Sequence, residues 1–570
     1  MKTTNKFLLA ATALCVVTNI ALARDNVGQL PKQVSVSQLN SMKLATVCSQ
    51  SGSRIDLDLN NVRTKILGGG DMWWDLKDVK YEIPKDSRKH SLFAGSLWIG
   101  GYTNGNLKVA AMTYRQSGND FWPGPLDGTA SVDATVCAQY DKHFVITRKE
   151  VQEFVGSWAP GATVPAAIDG WPAFDRFNNA GITQPLAPFY DKDQNGEYNP
   201  SDGGDYPGYS LNNEMGNCKT EAQLFGDRTF WWVFNDKGNL HTESETPQIG
   251  LEIHAQAFAF QTNDEINNMT FYQYQIFNRS TDKMDACYLG MWVDPDLGNP
   301  NDDFIGCDVA RGLGYCYNGD ADDDGNGENS YGLNPPAIGV DYFQGPLADF
   351  DGLDNPLDST FNGTGYGDGV VDNERLGMEK FMFYRNDFSL EGNPSQQIHY
   401  YNYLSGKWKD NNPITYGGTG RLSSTILCDF MYPGDTDPNN ATPWFQTGTA
   451  YDGRFIHSSG PFTLQPGAVN LVTVGAVWAR TSSGGPIESV NLMKAADDKA
   501  QQLFDNCFKV LDGPDAPDLT FRELDREIII YVKNKPNSNN YQDKYKEADA
   551  TISSPPGLNP PYDQFYRFQG

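Results

Sequence analysis

The chain is short of positive charge. It holds 44 Lys and Arg against 72 Asp and Glu, a net charge of −28. Nucleic-acid binding and docking on anionic lipid both need clustered basic residues, so both partner classes are excluded. Histidine is scarce as well. The six are His90, His143, His241, His254, His399 and His457, and no two share a short zinc-binding spacing. There is no Cys-x-x-Cys pair, which excludes a zinc ribbon or a thioredoxin-type site. HExxH, GxSxG and P-loop signatures are absent. The glycine-rich Gly363–Gly369 stretch does not join a strand to a helix, so it is no dinucleotide fingerprint. Beyond residue 23 no apolar run approaches the ~18 residues that a membrane helix needs.

What is present is turn formers and aromatics. Gly (57) and Pro (33) are frequent, and aromatics reach 12%, too many for a disordered chain. A globular, turn-rich protein with an aromatic core is expected. Residues 1–23 carry Lys2 and Lys6, an apolar run over 7–17 and then Ala21-Leu22-Ala23. That is the layout of a secretory signal peptide. Eight cysteines follow it, an even number that allows up to four disulfides in an oxidising compartment. Their connectivity is not deducible, and Cys307–Cys316 is the most local candidate pair.

Along the chain, 24–60 reads as a polar leader with one strand and 61–511 as a large β-rich body. Residues 512–518 read as a linker and 519–570 as the start of a second β-domain. Residues 249–261 and 269–278 alternate with period two on either side of a polar turn, so they predict a hairpin. Asn104-Gly105 predicts another. Strand texture also marks 380–384, 399–404 and 469–480. One helix is expected from Pro486 to about Phe508, on its apolar periodicity and first-turn proline. The fold expected is mainly β. It is a large antiparallel β-sandwich-like body with long acidic loops and one or few helices, followed by a partial immunoglobulin/fibronectin-like β segment.

The sharpest motif is Asp191-Lys192-Asp193-Gln194-Asn195-Gly196-Glu197-Tyr198-Asn199-Pro200-Ser201-Asp202. Oxygen side chains stand at positions 1, 3, 5, 9 and 12, with glycine at 6 and the Glu197 carbonyl at 7. A hard cation takes six to eight oxygens, and this spacing folds several of them around one point. Asp191, Asp193, Asn195, Glu197, Asn199 and Asp202 are therefore candidate Ca²⁺ ligands, with Asp205 as a supplement. The loop has Asp rather than Glu at position 12 and no flanking helix, so it is of the dockerin or thrombospondin type-3 kind rather than an EF-hand. A second constellation is Asp294, Asp296, Asp302, Asp303 and Asp308, since carboxylates so crowded repel unless solvated or gathered by a cation. Weaker clusters lie at 320–326 and 349–374.

The segments Gly70-Asp71-Met72-Trp73-Trp74-Asp75, Ser91–Gly101, Gly118–Leu126, Trp231–Asp236, Asp294–Gly298, Gly312–Asn318 and Asp497–Ala500 together resemble a family of large secreted Bacteroidota surface proteins. That family is cargo of the type IX secretion system and mostly of undefined function. The resemblance runs from about residue 55 onward and implies engagement with that secretion machinery, then a cell-surface or released product. It also implies a C-terminal sorting β-domain, which the 570 residues do not include.

The expected function is an exported, calcium-stabilised protein with a structural or adhesive role, meeting cell-surface polysaccharide or other surface proteins. One alternative is a secreted carbohydrate-active enzyme or sugar-binding module. Glycoside hydrolysis needs two carboxylates ~5–10 Å apart, and the sequence does not single out a pair. The other is a subunit of a surface assembly. No catalytic residue is assigned.

Overall fold

Alternating aromatic and β-branched residues build the strands of this chain, and a computed structural model shows how they assemble. It describes residues 47–77, 80–211, 214–325, 329–509, 514, 516–536, 538–545, 547–548 and 565–566. The expected signal peptide and residues 24–46 of the leader lie outside the described residues.

The first strands are β1 (Arg54–Leu57), β2 (Arg63–Leu67), β3 (Asp71–Trp73), β4 (Tyr81–Glu82), β5 (His90–Thr103), β6 (Asn106–Ala110), β7 (Trp122–Pro123) and β8 (Phe144–Thr147). A small ribbon, β9 (Phe189–Tyr190) with β10 (Tyr206–Pro207), follows. Then come β11 (Arg228–Asn235), β12 (Leu251–Ala259), β13 (Thr270–Asn278), β14 (Met284–Pro295), β15 (Asp303–Asp308) and β16 (Leu313–Asn318). They are followed by β17 (Asp322–Asp323), β18 (Gly332–Leu333), β19 (Ala337–Gln344), β20 (Lys380–Arg385), β21 (Gly453–Leu464), β22 (Val469–Ala479), β23 (Asp518–Leu524), β24 (Glu527–Lys533) and the short pair β25 (Glu547–Ala548) and β26 (Phe565–Tyr566).

Two nine-stranded antiparallel sheets form the body. One runs β1-β2-β3-β5-β14-β21-β20, with β4 and β6 joined to it. The other runs β15-β16-β19-β22-β13-β12-β11-β7, with β8 beside β11. Their inner faces meet in one aromatic core. Trp73 Nε1 donates to Tyr272 Oη across the interface at 2.9 Å, and Tyr274 Oη approaches Met72 Sδ at 3.1 Å. Buried phenols and indoles keep a hydrogen-bond partner, as their polar tips require.

Both outer faces are covered in part by helix. α1 (Ala134–Tyr140), α2 (Arg148–Ser157) and α3 (Ala166–Asp169) lie in a loop-rich excursion that covers Trp231 and Val233 of β11. α4 (Gln397–Leu404) lies against the first sheet. A Cβ on Gly290 would come within 2.6 Å of Leu404 Cδ2, so the strand needs glycine there for the helix to sit down. α5 (Pro486–Asp505) places Met493, Ala496, Ala500, Leu503 and Phe504 on the aromatic outer face of the second sheet. Each large apolar side chain buried there contributes about 1.5–3 kcal/mol.

The structure corrects three expectations. The 399–404 segment is helical: its tyrosines favour strands in isolation, but the helix buries Tyr400, Tyr401, Tyr403 and Leu404 together. The acidic stretch after Asp294, where long loops were expected, is not all loop, for it supplies β15, β16 and β19. Those strands are buried on both faces, so they show no alternation. Cys307 and Cys316 are not bonded. The β15–β16 register sets Cys307 opposite Gly314 and Cys316 opposite Ile305.

The disulfides found are Cys48–Cys137 and Cys218–Cys507, with sequence separations of 89 and 289 residues. Peptide mapping after alkylation in denaturant is expected to recover those two pairs. Cys287, Cys307, Cys316 and Cys428 should appear as alkylated thiols. A Cys307–Cys316 cross-link would contradict this arrangement.

Candidate metal centre

The calcium-type loop is the connection of a minimal hairpin. β9 and β10 pair Tyr190 with Tyr206 and Phe189 with Pro207, so residues 191–205 leave and return at one point. Aromatic anchors fix the loop to the excursion beneath it. Tyr198 Oη donates to the Ile168 carbonyl at 2.7 Å, and Trp158 Nε1 to the Pro200 carbonyl at 2.9 Å. Lys192 folds back over the Trp158 ring, 4.0 Å from its centre.

Inside the loop, one carboxylate oxygen each from Asp191, Asp193 and Asp205 lies within 4.8 Å of the other two. Asp191 accepts the Gly196 amide at 2.8 Å, and Gly196 adopts φ +81°, which a side chain would strain. Asn195 accepts the Glu197 amide at 2.7 Å and donates to Asp193 at 3.0 Å. Asp205 is fully buried and accepts the Lys192 and Asn199 amides, both at 2.8 Å. Asn199 Oδ1 is shielded from solvent and has no hydrogen-bond partner among the described residues. A Cβ on Gly203 would fall 2.0 Å from that oxygen and 2.7 Å from Asp193 Oδ2. Two ligand-type oxygens thus converge on space that only glycine leaves open.

Electrostatics agree with the geometry. Burial raises the Asp205 carboxyl above the ordinary range, two amide hydrogen bonds pull it back, and the Asp193 and Asp191 charges raise it further. A cation would relieve this crowding.

Of the expected ligands, Asp191, Asp193 and Asn199 point into the centre. Asn195 braces the loop, and exposed Glu197 contributes a backbone amide to it. Asp202 stands outside at the surface, 3.5 Å from the Ser201 hydroxyl. Asp205, named as a supplement, joins Asp191 and Asp193, because the Asn199–Gly203 turn carries the chain past position 12 before it re-enters.

The second constellation divides. Asp294 and Asp296 gather with Asp452, each giving an oxygen within 4.8 Å of the others. A fully buried Arg454 lies among them, with Nε 3.3 Å from Asp294 and Nη1 2.8 Å from Asp452. Tyr114 Oη donates to Asp294 at 2.6 Å and accepts from Arg454 Nη2 at 2.7 Å. Two of its three carboxylates, Asp294 and Asp452, are thus already paired with a cation. Asp303 accepts the Leu297 amide at 3.0 Å, and Asp302 the Asp324 amide at 2.7 Å. Asp308 is held by Arg311 at 3.0 Å and Lys494 at 2.8 Å, away from the other four. In the weaker clusters, Asp323 accepts the Asn299 amide at 3.0 Å and Asp354 the Gly367 amide at 2.8 Å, which ties down turns. Asp452, Arg454 and Tyr114 were invisible to local motif reading because they come from distant segments.

One carboxylate and several aromatic rings also meet in a cavity lined by Tyr114, Glu243, Trp292, Tyr384 and Tyr400. Glu243 there accepts the Thr113 and Tyr400 hydroxyls, both at 2.8 Å. The free space, about 10 Å³, accommodates one water and no sugar ring. Among the described residues no helix is long and apolar enough to cross a membrane. No protein-family model and no curated protein matches the chain.

Proposed function

We propose that this is an exported β-sandwich protein of the cell surface or extracellular medium, stabilised by calcium and structural or adhesive in role. The observation that carries the reading is the convergence of Asp191, Asp193, Asp205 and the Asn199 side-chain Oδ1 beside Gly203. These are hard oxygen donors with a charge of −3, which suits calcium better than softer transition metals. Bound there, the ion would offset the crowded carboxylate charges of Asp191, Asp193 and Asp205. The two disulfides fit an oxidising compartment, and the acidic surface fits a cation-rich one. Passage through a type IX machinery rests on the family resemblance.

Calorimetric titration of the full chain with calcium tests the reading. One saturable site is expected, and the combined Asp193→Asn and Asp205→Asn substitutions should weaken it by roughly a hundredfold, as loss of two charged ligands does. Unchanged affinity in that variant would refute the assignment of the site.

A further inference from the structure

The hairpin of β23 and β24 is exposed along its whole length, with all fourteen strand residues open to solvent. Its register sets Leu519 opposite Val532 and Phe521 opposite Ile530, with Glu523 opposite Ile528. Leu519, Phe521, Ile528, Ile530 and Val532 therefore share one face, each more than half exposed. An isolated two-stranded hairpin is marginal in water, and three or more strands with an apolar face are needed for stability. Natural edge strands usually carry charges, proline or bulges that block pairing. β24 has none of these within Ile528–Val532.

We propose that β24 pairs antiparallel with β24 of a second copy of this chain, giving a two-fold dimer joined through a four-stranded sheet. The sequence Glu527-Ile528-Ile529-Ile530-Tyr531-Val532-Lys533 is self-complementary in that register. Glu527 meets Lys533 of the second copy at both ends. Ile528 meets Val532, Ile529 meets Tyr531, and Ile530 lies on the axis opposite itself. Opposite charges and apolar or aromatic pairs are the favourable cross-strand combinations. The axis stands perpendicular to the sheet, so the two apolar faces become one surface of ten side chains. β23 does not offer the same match. Paired about Phe521, it would set Glu523 against Leu519 and Asp518 against Leu524. A two-fold contact also closes on itself, in keeping with a finite assembly.

Sedimentation velocity on the full chain over a wide concentration range tests the pairing. A reversible monomer–dimer equilibrium is expected. Glu527→Lys alone sets lysine against lysine, and Lys533→Glu alone sets glutamate against glutamate. Each should weaken the dimer by roughly tenfold, with the double exchange restoring it. Ile530→Lys, which puts two charges on the axis, should leave monomer only. A wild-type chain that stays monomeric would overturn the proposal. So would a dimer or larger species indifferent to Ile530→Lys, or single charge reversals that the double exchange fails to rescue.

Discussion

Replacing Arg454 with methionine is expected to destabilise the protein by about 3–5 kcal/mol. The guanidinium is fully buried on β21 and meets Asp452, Asp294 and the Tyr114 hydroxyl. Three carboxylates crowd the same space, and Arg454 pairs with two of them, Asp294 and Asp452. Methionine fills much of the volume but leaves Asp294 charged in a dry interior. Taking both charges out of water cost the fold a great deal, so removing both should hurt less than removing one. The Arg454→Met, Asp294→Leu double variant should accordingly recover part of the loss. Chemical denaturation of the three proteins gives the numbers. Equal stability of wild type and Arg454→Met would mean that the cluster contributes nothing as an ion pair.

Acid should weaken the fold through His457. Its ring is sealed between the sheets, edge-to-face with Tyr342 at 4.5 Å, and neither nitrogen has a hydrogen-bond partner among the described residues. Burial alone lowers its pKa to about 3. The unfolded chain takes up this proton near 6.5 and the native protein does not. The stability that the neutral ring contributes is therefore present above 6.5 and lost as pH falls toward 3. The loss is about 2 kcal/mol by pH 5 and about 4 kcal/mol near pH 3. Asp323 works in the opposite direction. Burial raises its carboxyl to about 6, so the native state gains from protonation as pH falls through that value. A comparison of wild type with His457→Leu isolates the histidine, because the carboxyl contributions are common to both. The variant should lose markedly less stability between pH 7 and 5, and identical slopes would contradict the assignment.

His241 has the reverse sign. Burial opposes its charge, but Asp120 at 3.7 Å and Asp236 at 3.4 Å outweigh that and hold its pKa at about 9. Its contribution is complete below 6.5 and disappears as pH rises through 9. These two histidines together place the greatest stability near pH 6.5, where the His457 contribution is nearly complete and that of His241 has only begun to fall.

Local features were the readable ones. The β12–β13 hairpin shows in period-two alternation, the Asn104-Gly105 turn in its residue pair, and α5 in its periodicity and leading proline. The 191–205 loop is readable because its ligands sit a few residues apart, so spacing alone reports geometry. Asp205 was harder, since a turn at 199–203 decides which acid re-enters the loop. Long-range partners left no local trace. Arg454 reaches Asp294 across 160 residues, and Cys218 reaches Cys507 across 289. Strands β15, β16 and β19 were hidden for another reason. Gly306 and Gly314 let neighbouring rings lie close on their backbones, Gly339 admits Leu313 and Met493 in the same way, and that removes the side-chain alternation that marks a half-buried strand.

Hydrogen exchange of the 191–205 amides, with millimolar calcium and again with excess chelator, bears most directly on the role of the acidic loop. Occupancy at a hundred times the dissociation constant stabilises a fold by about 2.7 kcal/mol. The Lys192, Gly196 and Asn199 amides, which donate to Asp205, Asp191 and Asp205, should be protected with calcium and exchange roughly a hundredfold faster without it. The melting temperature should fall in step. Matching exchange rates and superimposed melting curves in the two conditions would show that these oxygens hold no ion that matters to the fold.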